Sequence, residues 1–114
     1  PEEGLKFFYQ QLLTGDNSDN VKGIRGIGEV KSGRILSGIS KEADLFAATK
    51  KAYEEWLRKE WGVKKEESFT EFQEHQLLDL ILLTGRVLKI RQEKGELWNF
   101  PASYSAQQPI LAPQ

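Results

Sequence analysis

Asp16 and Asp19 stand three residues apart in a run of small polar residues, Gly15-Asp16-Asn17-Ser18-Asp19-Asn20. Two carboxylates at that spacing in a turn can aim at one point, and hard oxygen donors suit Mg²⁺ or Mn²⁺. Paired ions of this kind stabilise the attacking and leaving oxygens when a phosphodiester is displaced. Asp, Asn and Ser also build ordinary turns by bonding back to the backbone. In isolation, the capped turn is the plainer reading of the pair.

Directly after the carboxylates comes Gly23-Ile24-Arg25-Gly26-Ile27-Gly28. The alternation of apolar residues and glycines predicts a hairpin turn between two short helical pieces, anchored by Ile24 and Ile27. Gly26 and Gly28 lack a Cβ, so the backbone there can take unusual torsions and approach a ligand closely. Their N–H groups open a helix over residues 29–36, where free amides favour an anion. Lys31 and Arg34 share a face of that helix, and Lys22 and Arg25 flank the turn. One phosphate on the amides, with its neighbours on these cations, fits the pattern. Glycine-rich turns are also common with no ligand at all. A dinucleotide-binding fingerprint is a poor match, because no strand-helix-strand unit surrounds the glycines.

The elements that must hold this stretch are helical. Residues 3–13 place Leu5, Phe8 and Leu12 at helical spacing, and Thr14-Gly15 supplies a stop. Ser40 is a candidate N-cap for a helix over 41–61, with Leu45, Ala48, Ala52, Tyr53, Trp56 and Leu57 on a wide apolar face and Gly62 as its stop. Ser68 and Glu71 have the spacing of a capping box. The helix behind them carries Phe72, Leu77, Leu80, Ile81, Leu83, Val87 and Leu88, with Gly85 as a point of bending. Residues 96–100 read as a short strand or extended clip, and 101–114, with three of the four prolines, as an extended tail. The expected fold is one compact, mainly α domain over 1–100 with a short extended C-terminal segment.

Composition narrows the chemistry. The 114 residues contain no Cys and one His, which excludes disulfides, thiolate zinc sites and a cysteine nucleophile. The absence of Cys is compatible with the reducing cytosol, and a cytoplasmic protein is expected. No apolar run reaches membrane-spanning length. A first residue of Pro rather than Met suggests a processed or excised piece. The net charge of −1 hides a strong local contrast. In residues 1–20, Lys6 stands against Glu2, Glu3, Asp16 and Asp19, leaving −3. In residues 21–36, Lys22, Arg25, Lys31 and Arg34 stand against Glu29, leaving +3. A basic patch beside an acidic one can steer a polyanion despite a slightly negative total. His75, with Glu71 and Asp79 four residues away on either side, reads as a partly exposed helix histidine, and Trp56, Trp61 and Trp98 as core or core rim. Arg86, Lys89 and Arg91 either extend the basic track or form an ordinary solvated helix end.

Taken together, Gly15-Asp16-x-Ser18-Asp19-Asn20-(x)₂-Gly23-Ile24-x-Gly26-Ile27-Gly28-x-x-Lys31-Ser32 resembles the 5′→3′ exonuclease and flap endonuclease family. That family includes the 5′ nuclease domain of bacterial DNA polymerase I and the phage exonucleases. The match is specific over about residues 12–36 and continues more weakly to Leu97-Trp98. Lys22 stands where many members have Pro, and Gly33 where many have Ala. The resemblance implies a helix-hairpin-helix over about 20–36 in a SAM-like domain that binds double-stranded or flapped DNA without sequence preference. It implies that Asp16 and Asp19 are two of the ligands for Mg²⁺ or Mn²⁺, the rest lying in an N-terminal nuclease domain. It implies K⁺ on the backbone carbonyls of Gly23, Ile24 and Ile27, and DNA contacts from Lys22, Arg25, Gly26, Gly28, Lys31, Ser32 and Arg34. On this reading the intact enzyme hydrolyses phosphodiesters and this chain alone is inactive. A stand-alone DNA-binding or assembly module without catalytic role is the alternative.

Overall fold

The computed structural model describes residues 2–18, 20–90, 97–102 and 104. Its elements are α1 (Glu2–Thr14), β1 (Gly15–Asp16), β2 (Val21–Lys22), α2 (Glu29–Ile35), α3 (Glu42–Trp61) and α4 (Glu71–Ile90). The expectation of a mainly helical domain holds, with one addition. β1 and β2 pair antiparallel, Gly15 opposite Lys22 and Asp16 opposite Val21. The glycine turn is therefore entered from a strand rather than from a short helical piece.

The packing is organised around α1, which lies against α2, α3 and α4. Phe8, Tyr9, Leu12 and Leu13 repeat on one side of it and are all buried. Each side chain of this kind contributes about 1.5–3 kcal/mol through removal from water. α3 adds Leu45, Phe46, Ala52, Tyr53 and Leu57, and α4 adds Leu77, Leu78, Ile81 and Leu88. α1 has no basic residue in its last turn. Its terminal carbonyls find partners elsewhere, the Tyr53 hydroxyl donating to Leu12 O at 2.6 Å and Ile24 N–H donating to Leu13 O at 2.8 Å. At the other end of the helix pair, the Tyr9 hydroxyl donates to Glu42 Oε2 at 2.8 Å.

Two glycines are fixed by close backbone approach. A Cβ on Gly15 would stand 2.5 Å from Gly23 N and Val21 O, and one on Gly23 would stand 2.4 Å from Gly15 N and Leu13 O. The contact clamps the strand pair onto the end of α1. Gly85 is a third case. α4 runs through it as one helix, and the expected bend gives way to a notch, because a Cβ there would lie 2.3 Å from Trp98 Cε3. Trp98 packs edge-on against Phe8, Tyr9 and Phe100, while Arg86 donates to Trp98 O and Asn99 Oδ1. Residues 97–100 thus form a clip with no strand partner among the described residues, and residue 96 lies outside them.

The caps differ from expectation. α3 starts one residue later, with Lys41 as N-cap and no side-chain cap bond, so Ser40 does not cap it. Gly62 ends it in the left-handed region, as expected, at φ 67°. The capping box at α4 is Thr70 with Gln73, which exchange backbone-to-side-chain bonds of 2.9 and 3.1 Å, and not Ser68 with Glu71. Arg58 settles the register by donating to the carbonyls of Lys64 and Glu67, which shapes the connector. Lys50 ties α3 to α4 through Glu54 and Glu74. Burial pushes its pKa down, but its bonds to the two carboxylates more than reverse this and hold the ammonium above its usual range. α4 is apolar on more than its core side. Phe72, Leu80, Leu83 and Val87 are exposed along it.

Candidate functional site

α2 is the axis of the site. It opens at Gly28, which has extended torsions and no side-chain cap, after Gly26 at φ 89°. That value lies in the region where glycine alone is at ease. Ile24 is buried and its N–H is bonded to α1, while Ile27 N–H donates to Ile24 O at 3.1 Å, so the turn is anchored from within. Neither the Gly26 nor the Gly28 N–H has a partner among the described residues.

Lys22, Arg25, Lys31 and Arg34 are all exposed around this turn. None of the four side chains has a hydrogen-bond or ion-pair partner among the described residues. The other described arginines behave differently. Arg58 is bonded to two carbonyls and lies over Phe69, and Arg86 clips the Trp98 segment. Lys50 is paired, and Lys89 lies over the Phe8 ring. The reading of Arg86 and Lys89 as an extended basic track gives way to these internal roles, and Arg91 lies outside the described residues. Among the described residues, the hairpin arginines are the two whose side chains the fold leaves unused.

Ser32 is the clearest correction. It is fully buried, donating to Glu29 O at 3.0 Å and accepting from Gln10 Nε2 at 3.1 Å. A side chain with no exposed surface cannot touch DNA, and its role is to lock α2 onto α1. Gly23, expected as a carbonyl ligand for K⁺, has no room for a Cβ, and the Ile24 carbonyl accepts the Ile27 N–H with one lone pair, leaving the other for a cation.

No protein-family model, curated protein or solved structure matches the chain. The site's own residues therefore carry its interpretation.

Asp16 is half-buried at the end of β1, its Oδ2 accepting from Gln11 Nε2 at 3.1 Å and its Oδ1 from Ser18 N–H at 3.0 Å. Asp19 lies outside the described residues. Among the described residues, no group of three or more acids and imidazoles is placed to hold a metal ion. A single carboxylate, accepting at both oxygens from Gln11 and Ser18, does not make a divalent-ion site on its own. His75 is exposed on α4, away from this constellation in sequence. No helix among the described residues is long and apolar enough to cross a membrane.

Two clefts flank α2. One, of about 490 Å³, is lined by Phe7, Gln10, Gln11, Asn17 and Glu29, with no cationic side chain among the described residues. The other, of about 250 Å³, brings Arg25 and Lys31 together with Lys59 and Glu55 of α3 over a floor that includes Ile27 and Trp56. Lys59 was invisible to sequence reasoning. It lies in the last turn of a long helix whose local pattern carries no sign of the hairpin, and only tertiary packing brings it there.

Proposed function

We propose that the chain binds duplex DNA through its phosphate backbone, without reading sequence, on the surface formed by the glycine turn and the outer side of α2. α1, the strand pair, the turn and α2 would together serve as the helix-hairpin-helix. The observation that carries this reading is the set of uncommitted cations. Lys22, Arg25, Lys31 and Arg34 are exposed on the turn and the helix it opens, with Arg25 and Lys31 lining one cleft, while the described arginines elsewhere are used within the fold. Unpaired charge held at a rigid turn is suited to neutralising phosphates, and phosphate contacts position a duplex without specifying bases.

The finer reading follows from the family resemblance. The chain would be the DNA-gripping portion of a metal-dependent 5′→3′ exonuclease or flap endonuclease, with Asp16 next to the gripped strand. Asp16 and Asp19 would add ligands to a Mg²⁺ or Mn²⁺ site completed by a separate nuclease domain, and K⁺ would support the turn. The alternative is a binding module with no catalytic role, in which Asp16 serves the turn through its bonds to Gln11 and Ser18.

The test is a titration of duplex, flapped and single-stranded DNA over a salt series, with K⁺ and without. Non-specific binding of about 10⁻⁴–10⁻⁶ M at physiological salt is expected, weakening steeply as salt rises. Replacing Lys31 and Arg34 together by Ala should flatten the log–log salt slope by about 2. Unchanged affinity and slope would remove the hairpin as the contact surface. Incubation with Mg²⁺ or Mn²⁺ should give no cleavage, and sustained cleavage would overturn the need for a separate nuclease domain.

A further inference from the structure

We infer that the cleft between the hairpin and α3 holds a second backbone phosphate, gripped by Arg25, Lys31 and Lys59, so that the bound strand leaves the turn toward α3 and not toward α1. The inference rests on the duplex-binding reading and extends it to a helix outside the hairpin.

Three cations reach this cleft from three separate segments, Arg25 from the turn, Lys31 from α2 and Lys59 from α3. All three are exposed and lack an ion-pair partner among the described residues. Among the described residues Glu55 is the one carboxylate lining the cleft, so this lining keeps a surplus of positive charge. A phosphodiester carries a single negative charge and can be shared among several donors. The floor is apolar, made by Ile24, Ile27, Ile35 and the Trp56 ring. An apolar floor excludes water from one side and strengthens the attraction between the cations and an anion. The turn and α2 are fixed to α1 by the Ile24–Leu13 and Gln10–Ser32 bonds, so Arg25 and Lys31 are presented from a rigid base.

The opposite cleft has the reverse character. Glu29 lines it, Asp16 lies beside it in sequence, and its remaining lining is neutral, with the amides of Gln10, Gln11 and Asn17. A phosphate has no partner of opposite charge there. Among the described residues the two cleft linings therefore differ in sign, and a polyanion crossing the turn is drawn toward the α3 side.

The experiment measures duplex affinity across a salt series for Lys59→Ala, with Lys51→Ala as a control on the same helix. Lys51 lines a different cleft, beside Tyr104. Lys59→Ala should weaken binding about 10-fold at 50 mM salt and lower the salt slope by about 0.9, with Lys59→Arg restoring both. Lys51→Ala should leave both as they are. Circular dichroism verifies that each variant is folded. Trp56 provides a direct reading. Duplex should change its fluorescence, with the change absent in Trp56→Phe, and inorganic phosphate at the same phosphate concentration should not reproduce it. If Lys59→Ala binds as the unaltered chain does while the Lys31 and Arg34 double variant is weakened, the second phosphate is refuted and the hairpin reading stands. If the double variant is also without effect, the hairpin reading falls and the inference with it. Equal losses for Lys51→Ala and Lys59→Ala would reduce the result to total charge, and an equal response to inorganic phosphate would assign the cleft to a free anion. Either outcome overturns the inference.

Discussion

Replacing Gly23 by Ala should unfold the hairpin's attachment even when no ligand is present. The new Cβ would stand 2.4 Å from Gly15 N and Leu13 O and 2.5 Å from Thr14 C. These are about 1 Å or more inside ordinary contact distance, which is about 3.5–4.0 Å between carbons. All three are backbone atoms, so no rotamer change can relieve the overlap. The strands must separate from the end of α1, and a movement of about 1 Å takes the 2.8 Å Ile24–Leu13 bond beyond useful range. Overpacking of this kind costs about 1–3 kcal/mol, and the lost bond about 1 kcal/mol more. A total of about 2–4 kcal/mol lowers the melting temperature of a domain this size by about 10–30 °C. The assay is thermal denaturation followed by circular dichroism in sodium buffer without DNA. Alanine keeps the backbone carbonyl, so a residue needed only to present that carbonyl to K⁺ would tolerate the change under these conditions. A melting temperature within about 3 °C of the unaltered chain would refute the steric argument.

Gly33→Ala should act in the opposite direction. The position is helical, its nearest neighbour to an added Cβ is Gln10 Nε2 at 3.9 Å, and a gain of about 0.5–1 kcal/mol is expected in urea unfolding. Ser32→Ala should cost about 1–2 kcal/mol, through the lost Gln10 and Glu29 bonds, yet leave the duplex affinity of the folded protein unchanged. Alkaline unfolding should report Tyr9 and Tyr53. Burial, reinforced at Tyr9 by Glu42, pushes both phenols above the ordinary value of 10.0. Above that pH the unfolded chain releases phenolic protons that the folded chain retains, so stability present below pH 10 is lost as pH rises. The pair should remove about 3 kcal/mol between pH 9 and 11, and Tyr53→Phe should roughly halve that pH dependence.

The sequence made the helices legible because each long apolar repeat has one period to obey. α1, α2 and α3 lie within a residue or two of their expected limits, and the stops at Gly15 and Gly62 act as expected. The choice of cap was less legible. Ser40 and Ser68 are good capping residues by type, but Lys41 occupies the N-cap position of α3 without a side-chain bond, and Thr70 with Gln73 caps α4, in a connector shaped by Arg58 from the preceding helix. On α4 the spacing announced a helix but not its inward side, because Phe72, Leu80, Leu83 and Val87 are as apolar as the buried Leu77 and Ile81. At the site, the four cations at the turn were readable from their neighbours in sequence. Burial of Ser32 and the arrival of Lys59 were not, since both depend on contacts between segments about 20 or more residues apart.

The end of α1 is closed from outside the helix as well as by Gly15. Its last carbonyls are closed by Ile24 N–H from the turn and by the Tyr53 hydroxyl from α3. The last turn of α1 and the glycine turn should therefore open as one unit, with amide protons that exchange at a common rate. A polyanion that steadies the turn would slow exchange at Ile24 and along the end of α1, where it makes no contact. Protection from exchange would then spread inward along bonds that serve as a helix terminus, carrying occupancy of the surface into the centre of the core.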